Sequence, residues 1–136
     1  MKPSLTTGLT AVRRITVDRN RTIGFMAEGG RVYATPELVR DIEATCRNLL
    51  LEHLEDGEDS VGTRVEIDHL AATLVDMWVD ITVTAIEVKG RLVTFEIVAR
   101  DVVDTVARGR HTRFVVDKSR SQERLAAKAA RAKAAS

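Results

Sequence analysis

The feature that most constrains this chain is a change of hydrophobic period near Gly57. Before this residue, apolar side chains recur at the three- and four-residue spacing of an α-helix, from Leu38 to Leu54. After it, apolar and polar residues alternate over several segments, which is the pattern of half-buried β-strands. The order of these two patterns predicts an α+β domain with one long helix and a sheet.

The predicted helix has clear signals at both ends. Thr35 suits the N-cap, Pro36 suits the first helical position, and Glu37 complements the positive end of the helix dipole. We expect the helix to run from Thr35 to about Glu55 and to end at Gly57.

One strand is predicted before the helix and four after it. The expected ranges are 8–17, 63–69, 78–88, 91–100 and 105–116, with a short extended piece at 31–34. Because short connections join the last four strands, we expect them to form an antiparallel meander. A long central helix packed on a curled antiparallel sheet is the hot-dog fold. Its free sheet edges favour a homodimer, with a tetramer as the alternative.

The C-terminal segment differs in composition from the rest of the chain. Residues 118–136 hold six of the 21 basic residues but one of the 20 acidic residues, and no large apolar residue follows Leu125. We therefore expect a domain at 1–117 and a basic Ala-, Arg- and Lys-rich helical tail at 118–136, with nothing to bury. The acidic body disfavours a nucleic-acid partner. The tail could touch nucleic acid or an anionic surface, but a solvated extension is the favoured interpretation.

Several other functional classes are disfavoured. Cys46 is the single cysteine, so an intrachain disulfide is not expected, and neither a signal peptide nor a stretch of ~20 apolar residues is found. A cytoplasmic protein without membrane attachment is the expectation. His53 and His111 form no ligand set with Cys46, and no glycine-rich phosphate loop is present, so neither a metal nor a bound cofactor is expected. A buried helical cysteine such as Cys46 is also a poor candidate nucleophile.

Two polar residues occupy positions where the patterns require apolar ones. Glu43 shares a helical stripe with Val39, Cys46 and Leu50, so it should face the sheet, unless it lies at the edge of the stripe and reaches solvent. His69 continues the inward register of Thr63, Val65 and Ile67 on its strand. A lone inward histidine is nevertheless more often a satisfied core residue. Considered together, Glu43 and His69 could face each other between helix and sheet, where the carboxylate would orient and tune the imidazole.

Thr35 has two compatible interpretations. As an N-cap it would satisfy a free N–H of the first helical turn. In that place its hydroxyl would also stand beside the free backbone N–H groups of the helix N-terminus, which can stabilise an oxyanion.

These residues lie in segments that resemble the fluoroacetyl-CoA thioesterase family, a group with the hot-dog fold. The resemblance runs from about Val32 to Val116. It is clearest in Leu54-Glu55-Asp56-Gly57-Glu58-Asp59-Ser60-Val61-Gly62-Thr63, in His69-Leu70-Ala71-Ala72-Thr73 and in Gly109-Arg110-His111-Thr112-Arg113.

The resemblance implies an acyl-CoA thioesterase that needs no cofactor, since coenzyme A enters as part of the substrate. It implies a catalytic group of Thr35, Glu43 and His69. His69 would act as general base or acid, Glu43 would orient His69, activate water or attack as a nucleophile, and Thr35 would bond the reacting group. It also places Gly62 close to the thioester and Arg113 near the active site, where Arg113 could meet CoA phosphates or form a structural salt bridge.

The chain departs from the family at two places. The fluoroacetate-specific member carries paired aromatic residues just before the helix, where this chain has 26–30 with only Phe25 nearby. A Pro-Pro-Gly turn of the family is replaced by Leu74-Val75-Asp76. We therefore expect a short or small acyl-CoA as substrate without naming the acyl group.

Two other functions stay open at this level. One is a hot-dog hydratase acting on enoyl thioesters, although its Asp/His helix motif is not found in this sequence. The other is a non-catalytic acyl-CoA-binding module. Release of a free thiol separates hydrolysis from both.

Overall fold

A central helix packed on a five-stranded antiparallel sheet forms the body of the computed structural model, which describes residues 1–24 and 30–136. The strands of this sheet are β1 (Thr10–Thr16), β4 (Glu58–His69), β5 (Trp78–Lys89), β6 (Leu92–Arg100) and β7 (Thr105–Asp117). The central helix is α1 (Thr35–Leu51), preceded by a two-stranded ribbon of β2 (Thr22–Ile23) and β3 (Val32–Tyr33), and the C-terminal helix is α2 (Lys118–Ala135).

The core between α1 and the sheet is aliphatic, because aromatic residues make up only 4% of the chain. From the helix it takes Leu38, Ile42, Cys46, Leu49 and Leu50, and from the sheet mainly valine, isoleucine, alanine and Phe95. The helix ends at Leu51 rather than near Glu55, because His53 and Leu54 bond back three residues, to the carbonyls of Leu50 and Leu51, in a tighter turn. Leu54 is still buried, so the apolar period continues past the end of the helix.

The order of strands in the sheet is β1-β5-β6-β7-β4. The predicted meander is confirmed for β5, β6 and β7, but it is wrong for β4, which pairs with β7 at the edge of the sheet. The link between β4 and β5, residues 70–77, is longer than a hairpin turn and crosses the ends of the intervening strands. Thr73 in this link is fully buried and donates a hydrogen bond of 2.9 Å to Asp101, in the turn between β6 and β7.

Strand β4 does not show the inward face that alternation predicts. Residues 61–66 are all exposed, including Thr63 and Val65, which we expected to point inward. Two features explain this: β4 is the outermost strand, and its pairing with β7 shifts register between Gly62 and Arg64. Only at its end, at Ile67 and His69, does an alternating half-buried face appear.

The C-terminal helix α2 has no buried residue, as expected for the basic tail. Asp117 caps it by accepting hydrogen bonds from the backbone N–H groups of Ser119 and Arg120. In the described ranges, no helix combines the length and apolar character needed to cross a membrane.

Candidate active site

Thr35 and His69 meet at the start of the central helix. Thr35 is the first residue of α1, and its Oγ1 lies 2.8 Å from Nδ1 of His69, within hydrogen-bond distance. The strand that carries His69 ends beside the point where the helix begins. The structure therefore brings two of the three predicted catalytic residues into direct contact.

The predicted N-cap role of Thr35 is wrong, because Ala34 occupies the N-cap and no side chain caps the helix. Pro36 has no N–H to satisfy, while the N–H groups of Glu37 and Leu38 both bond to the carbonyl of Ala34, at 3.0 Å. The Thr35 hydroxyl is thus free to bond His69. Because these N–H groups are engaged or missing, the N–H of Thr35 is, among the described residues, the one donor of the first helical turn that could bind an oxyanion.

His69 sits in a setting that favours the neutral imidazole. Burial lowers the pKa of His69 below its ordinary value of 6.5, and a weaker interaction with the backbone of Ala71 opposes this shift. Its Nε2 is buried and has no hydrogen-bond partner in the parts of the chain that are described. The ring of Tyr33 stands edge-on to the imidazole, with centroids 6.3 Å apart and an interplanar angle of 81°. A neutral imidazole with Nδ1 engaged and Nε2 free can act as a general base.

Glu43 lies at the margin of the buried face of α1, and its side chain is 41% exposed. Its Oε2 is 3.5 Å from Nη1 of Arg113, so an ion pair joins helix and sheet there. The carboxylate also approaches Gly62 on β4, where a Cβ would lie only 2.8 Å from Oε2. A residue without a side chain at position 62 is therefore what lets Glu43 lie against the strand.

Arg113 is held rigidly behind Glu43. Its Nε donates to Oγ of Ser60 and its Nη2 to the carbonyl of Ser60, each at 2.8 Å, and its Nη1 lies 3.2 Å from Nε2 of His111. His111 is fully buried, with Nδ1 2.8 Å from the carbonyl of Arg64. Since a carbonyl can only accept, Nδ1 carries the proton and Nε2 accepts from Arg113. These contacts favour the structural salt bridge over a contact of Arg113 with CoA phosphates.

The expected contact between Glu43 and His69 is not made within the chain. Among the described residues neither a hydrogen bond nor an ion pair joins them: His69 bonds Thr35, and Glu43 pairs with Arg113. Thr35 and Glu43 are separated by roughly 12 Å along the helix, at about 1.5 Å per residue. The site therefore consists of two parts, which we call the Thr35–His69 half-site and the Glu43–Gly62 half-site.

Two residues near the site were missed by sequence reasoning, Ser60 and His111. A signal for His111 exists in the alternation of β7, where the buried positions 111, 113 and 115 include two polar residues, His111 and Arg113. Cys46 lies near the Glu43–Gly62 half-site. Burial raises the pKa of its thiol to about 12, so the thiol stays protonated and is a poor nucleophile.

A cleft of about 360 Å³ surrounds the Thr35–His69 half-site. Its lining is largely apolar and consists of Ile23, Val32, Tyr33, Ala34, Thr35, Pro36, His69, Leu70, Ala71 and Ala72. A larger depression, about 780 Å³, lies on β4, β6 and β7 and includes none of the three predicted catalytic residues. The segment compared with the aromatic lid of the family falls almost entirely on residues 25–29, outside the described residues.

The sequence of this chain is similar to those of known thioesterases. The family model of the fluoroacetyl-CoA-specific thioesterase, FlK, matches residues 17–119. The fluoroacetyl-CoA thioesterase of Streptantibioticus cattleyicolor is 36% identical over 90 residues, which make up 66% of this chain and 65% of that protein. The match thus spans just under two thirds of the relative's length.

Solved structures agree with this match. A thioesterase superfamily member from Thermus thermophilus is 28% identical, with a TM-score of 0.87 and coverage of 97% of this chain and 98% of that one. The structure of the fluoroacetyl-CoA thioesterase FlK is 27% identical, with a TM-score of 0.84 and coverage of 92% and 98%. The predicted hot-dog fold is confirmed, and the chain belongs to the fluoroacetyl-CoA-specific thioesterase family.

Proposed function

We propose that this protein hydrolyses the thioester of a small acyl-CoA to the free acid and coenzyme A. The observation that carries the proposal is His69: a half-buried imidazole whose Nδ1 bonds Thr35 and whose Nε2 is unpaired beside an apolar cleft. Family membership supports the reaction class, and the depressed pKa of His69 suits a base at neutral pH.

In the proposed reaction, water attacks the thioester carbonyl while Nε2 of His69 takes its proton. The tetrahedral intermediate then collapses, the C–S bond breaks, and His69 returns the proton to the leaving thiolate. Thr35 holds the imidazole with Nε2 unpaired, so that Nε2 can accept a proton once substrate and water enter the cleft that His69 lines. The N–H of Thr35 can donate to the developing oxyanion. The carboxylic acid product loses its proton to solvent.

Glu43 is proposed to act from the other half-site, as a second base that activates water or as a nucleophile that forms a transient anhydride. Its ion pair with Arg113 holds the carboxylate against Gly62, where the missing side chain leaves room for the carboxylate itself. Because Arg113 is locked by Ser60 and His111, the carboxylate has a fixed partner and needs little reorganisation during the reaction.

We propose a homodimer in which β4 pairs with β4 of a second copy. Support comes from the position of β4 at the sheet edge and from residues 61–66, which are exposed throughout and include Val61 and Val65. A two-fold antiparallel pairing centred between Val65 and Glu66 would set Gly62 of one copy opposite His69 of the other. The Glu43–Gly62 half-site of one protomer would then face the Thr35–His69 half-site of its partner.

Mixing two inactive variants tests this arrangement. Glu43→Ala and His69→Ala proteins, unfolded together and refolded, form mixed dimers in which one site keeps both residues. Activity should recover to about a quarter of the wild-type value, since about half of the dimers are mixed and each has one intact site. Absence of recovery in mixtures that size-exclusion chromatography with light scattering shows to be dimeric would exclude the shared site.

The acyl group is proposed to be small, since the cleft beside His69 is modest in volume and lined by Ile23, Ala71 and Ala72. A cytoplasmic location is proposed because acyl-CoA thioesters are metabolites of the cell interior. Neither nucleic acid nor a membrane is proposed as a partner, and α2 is proposed to be a solvated extension.

A thiol-release screen over acyl-CoA chain lengths, with His69→Ala as control, tests the proposed activity. We expect thiol release by the wild type, fastest on short acyl groups, and a loss of at least about 100-fold in His69→Ala. A hydroxyacyl thioester as product would identify a hydratase instead, and tight binding without any thiol release would identify a binding module.

A further inference from the structure

A buried polar network lies directly behind the Thr35–His69 half-site. Tyr33 is 1% exposed, and its hydroxyl donates a hydrogen bond to Oδ2 of Asp41 on α1. Arg21 donates to both oxygens of the same carboxylate, from Nε at 2.9 Å and from Nη2 at 3.2 Å. A guanidinium, a carboxylate and a phenol are thereby joined in one chain of hydrogen bonds.

Tyr33 contacts His69 through its ring and is linked to Thr35 through the backbone. Its ring meets the imidazole of His69 edge-on, and its backbone stands two residues before Thr35. Its N–H donates to the carbonyl of Thr73, at 2.9 Å, in the link that follows His69. A shift of Tyr33 would therefore change the position of the imidazole relative to the hydroxyl that bonds it.

This network is more polar than packing alone requires. A phenylalanine would fill the space of the Tyr33 ring, and a leucine at position 41 would extend the apolar face of α1 beside Leu38 and Ile42. Burying Asp41, which is 5% exposed, carries a desolvation cost that its partners must offset. Burial, reinforced by the hydrogen bond to Asp41, raises the pKa of Tyr33, so the phenol stays protonated and remains a donor.

We propose that Tyr33 is a positioning residue for His69, held in place by Asp41 and Arg21. The anchored ring limits rotation of the imidazole, so that Nδ1 stays on Thr35 and Nε2 stays unpaired. The proposal rests on the proposed function in one respect: it takes His69 as the base. Its geometric part, that the phenol anchor controls the imidazole, stands independently of the reaction.

Tyr33→Phe is the sharpest variant, because it keeps the ring and removes the hydroxyl. We expect kcat to fall about tenfold with KM unchanged, within the roughly 100-fold cost of a 1 Å misplacement. The pKa of His69 should rise toward 6.5, since a loosened pocket admits water and weakens the desolvation that lowers it. Asp41→Asn should give the same changes, because it weakens the anchor while the phenol stays.

The matched control is Ile81→Val, a conservative loss of buried volume on β5, which lies three strands away from β4 and His69 in the sheet. Its loss of stability should be similar to that of Tyr33→Phe, with kcat unchanged. Nitrogen-detected NMR titration of the three histidines supplies the second readout, since it reports the pKa and tautomer of His69 without any turnover. If Tyr33→Phe and Asp41→Asn lower stability like the control but leave kcat and the His69 titration unchanged, the proposal is overturned.

The two readouts separate this proposal from the thioesterase itself. A changed His69 titration in a protein that releases no thiol would retain the positioning role and remove the proposed function. An unchanged His69 titration in the variants of an active thioesterase would retain the proposed function and remove the positioning role of Tyr33. If Tyr33→Phe fails to fold, Asp41→Asn and the NMR titration decide the question.

Discussion

Substitution of Gly62 by alanine tests how closely the Glu43 carboxylate must approach the strand. The added Cβ would lie 2.8 Å from Oε2 of Glu43 and 3.1 Å from Cε1 of His111. Ordinary contact begins at 3.4 Å, so the carboxylate has to move by several tenths of an ångström. Because the ion pair with Arg113 already spans 3.5 Å, such a movement should weaken it.

The expected effects on stability and activity differ in size. Glu43 is partly exposed and can swing away, but its partner Arg113 is buried, so weakening the ion pair should cost about 1–3 kcal/mol of the free energy of unfolding. Alanine in a strand regains about 0.5–1 kcal/mol relative to glycine, so the net loss should be at most about 2 kcal/mol. Activity should nevertheless fall by about tenfold, within the roughly 100-fold cost of displacing a reacting group by 1 Å.

Two glycine variants serve as controls. At Gly57 nothing lies within 4 Å of an added Cβ, so Gly57→Ala should change neither activity nor stability appreciably. At Gly109 the Cβ would lie 1.9 Å from the backbone carbonyl oxygen of Glu66, so Gly109→Ala should lose more than about 2 kcal/mol by forcing β4 and β7 apart. Thiol-release kinetics and urea unfolding measure both quantities. Wild-type kcat in a folded Gly62→Ala protein would refute the role given to Glu43.

Three further predictions concern the histidines, Thr35 and the link at Asp76. Thr35→Val removes the hydroxyl that bonds His69, so kcat should drop about 10- to 100-fold. Thr35→Ser keeps a hydroxyl and should keep most of the activity. Equal rates for the two variants would argue against a role for the hydrogen bond. Burial lowers the pKa of both His69 and His111, so on acidification these side chains take up protons in the unfolded chain before they do so in the folded protein. The urea concentration at the unfolding midpoint should therefore fall as pH drops below about 6.5. A midpoint that stays constant from about pH 7.5 to 5.5 would contradict this. Asp76 has a φ of 71°, in the left-handed region that a β-branched residue avoids. Asp76→Val should therefore lower the free energy of unfolding, measured in urea, by about 1–2 kcal/mol, while Asp76→Gly should change it little. Equal losses in the two variants would refute backbone strain at this position.

Local patterns were sufficient to predict the elements but not all of their neighbours. The ranges predicted for β5, β6 and β7 lie within about one residue of those observed, because alternation is a property of each strand alone. The place of β4 beside β7 depends on a link that crosses other strands, and alternation carries no information on such a crossing. The outermost position of β4 also removed the buried face that the pattern had led us to expect at Thr63 and Val65.

The sequence singled out candidate residues one by one, but it did not predict how they are arranged. Thr35 and His69 do meet, yet the cap role failed because Pro36 lacks an N–H and the next two N–H groups bond to Ala34. Glu43 and His69 were each placed between helix and sheet, but their separation follows from the length of α1, which a face assignment ignores. Asp41 was not singled out, because its partners Tyr33 and Arg21 come from segments with no regular period.

The pH dependence of thiol release by the wild type and by His69→Ala tests most directly that a neutral His69 is the base. For the wild type we predict kcat/KM to fall at acidic pH with a midpoint below 6.5, since burial lowers the pKa of His69. His69→Ala should keep a small residual rate without that acidic limb. If the limb persists at the same midpoint after His69 is removed, another group takes the proton and His69 is not the base.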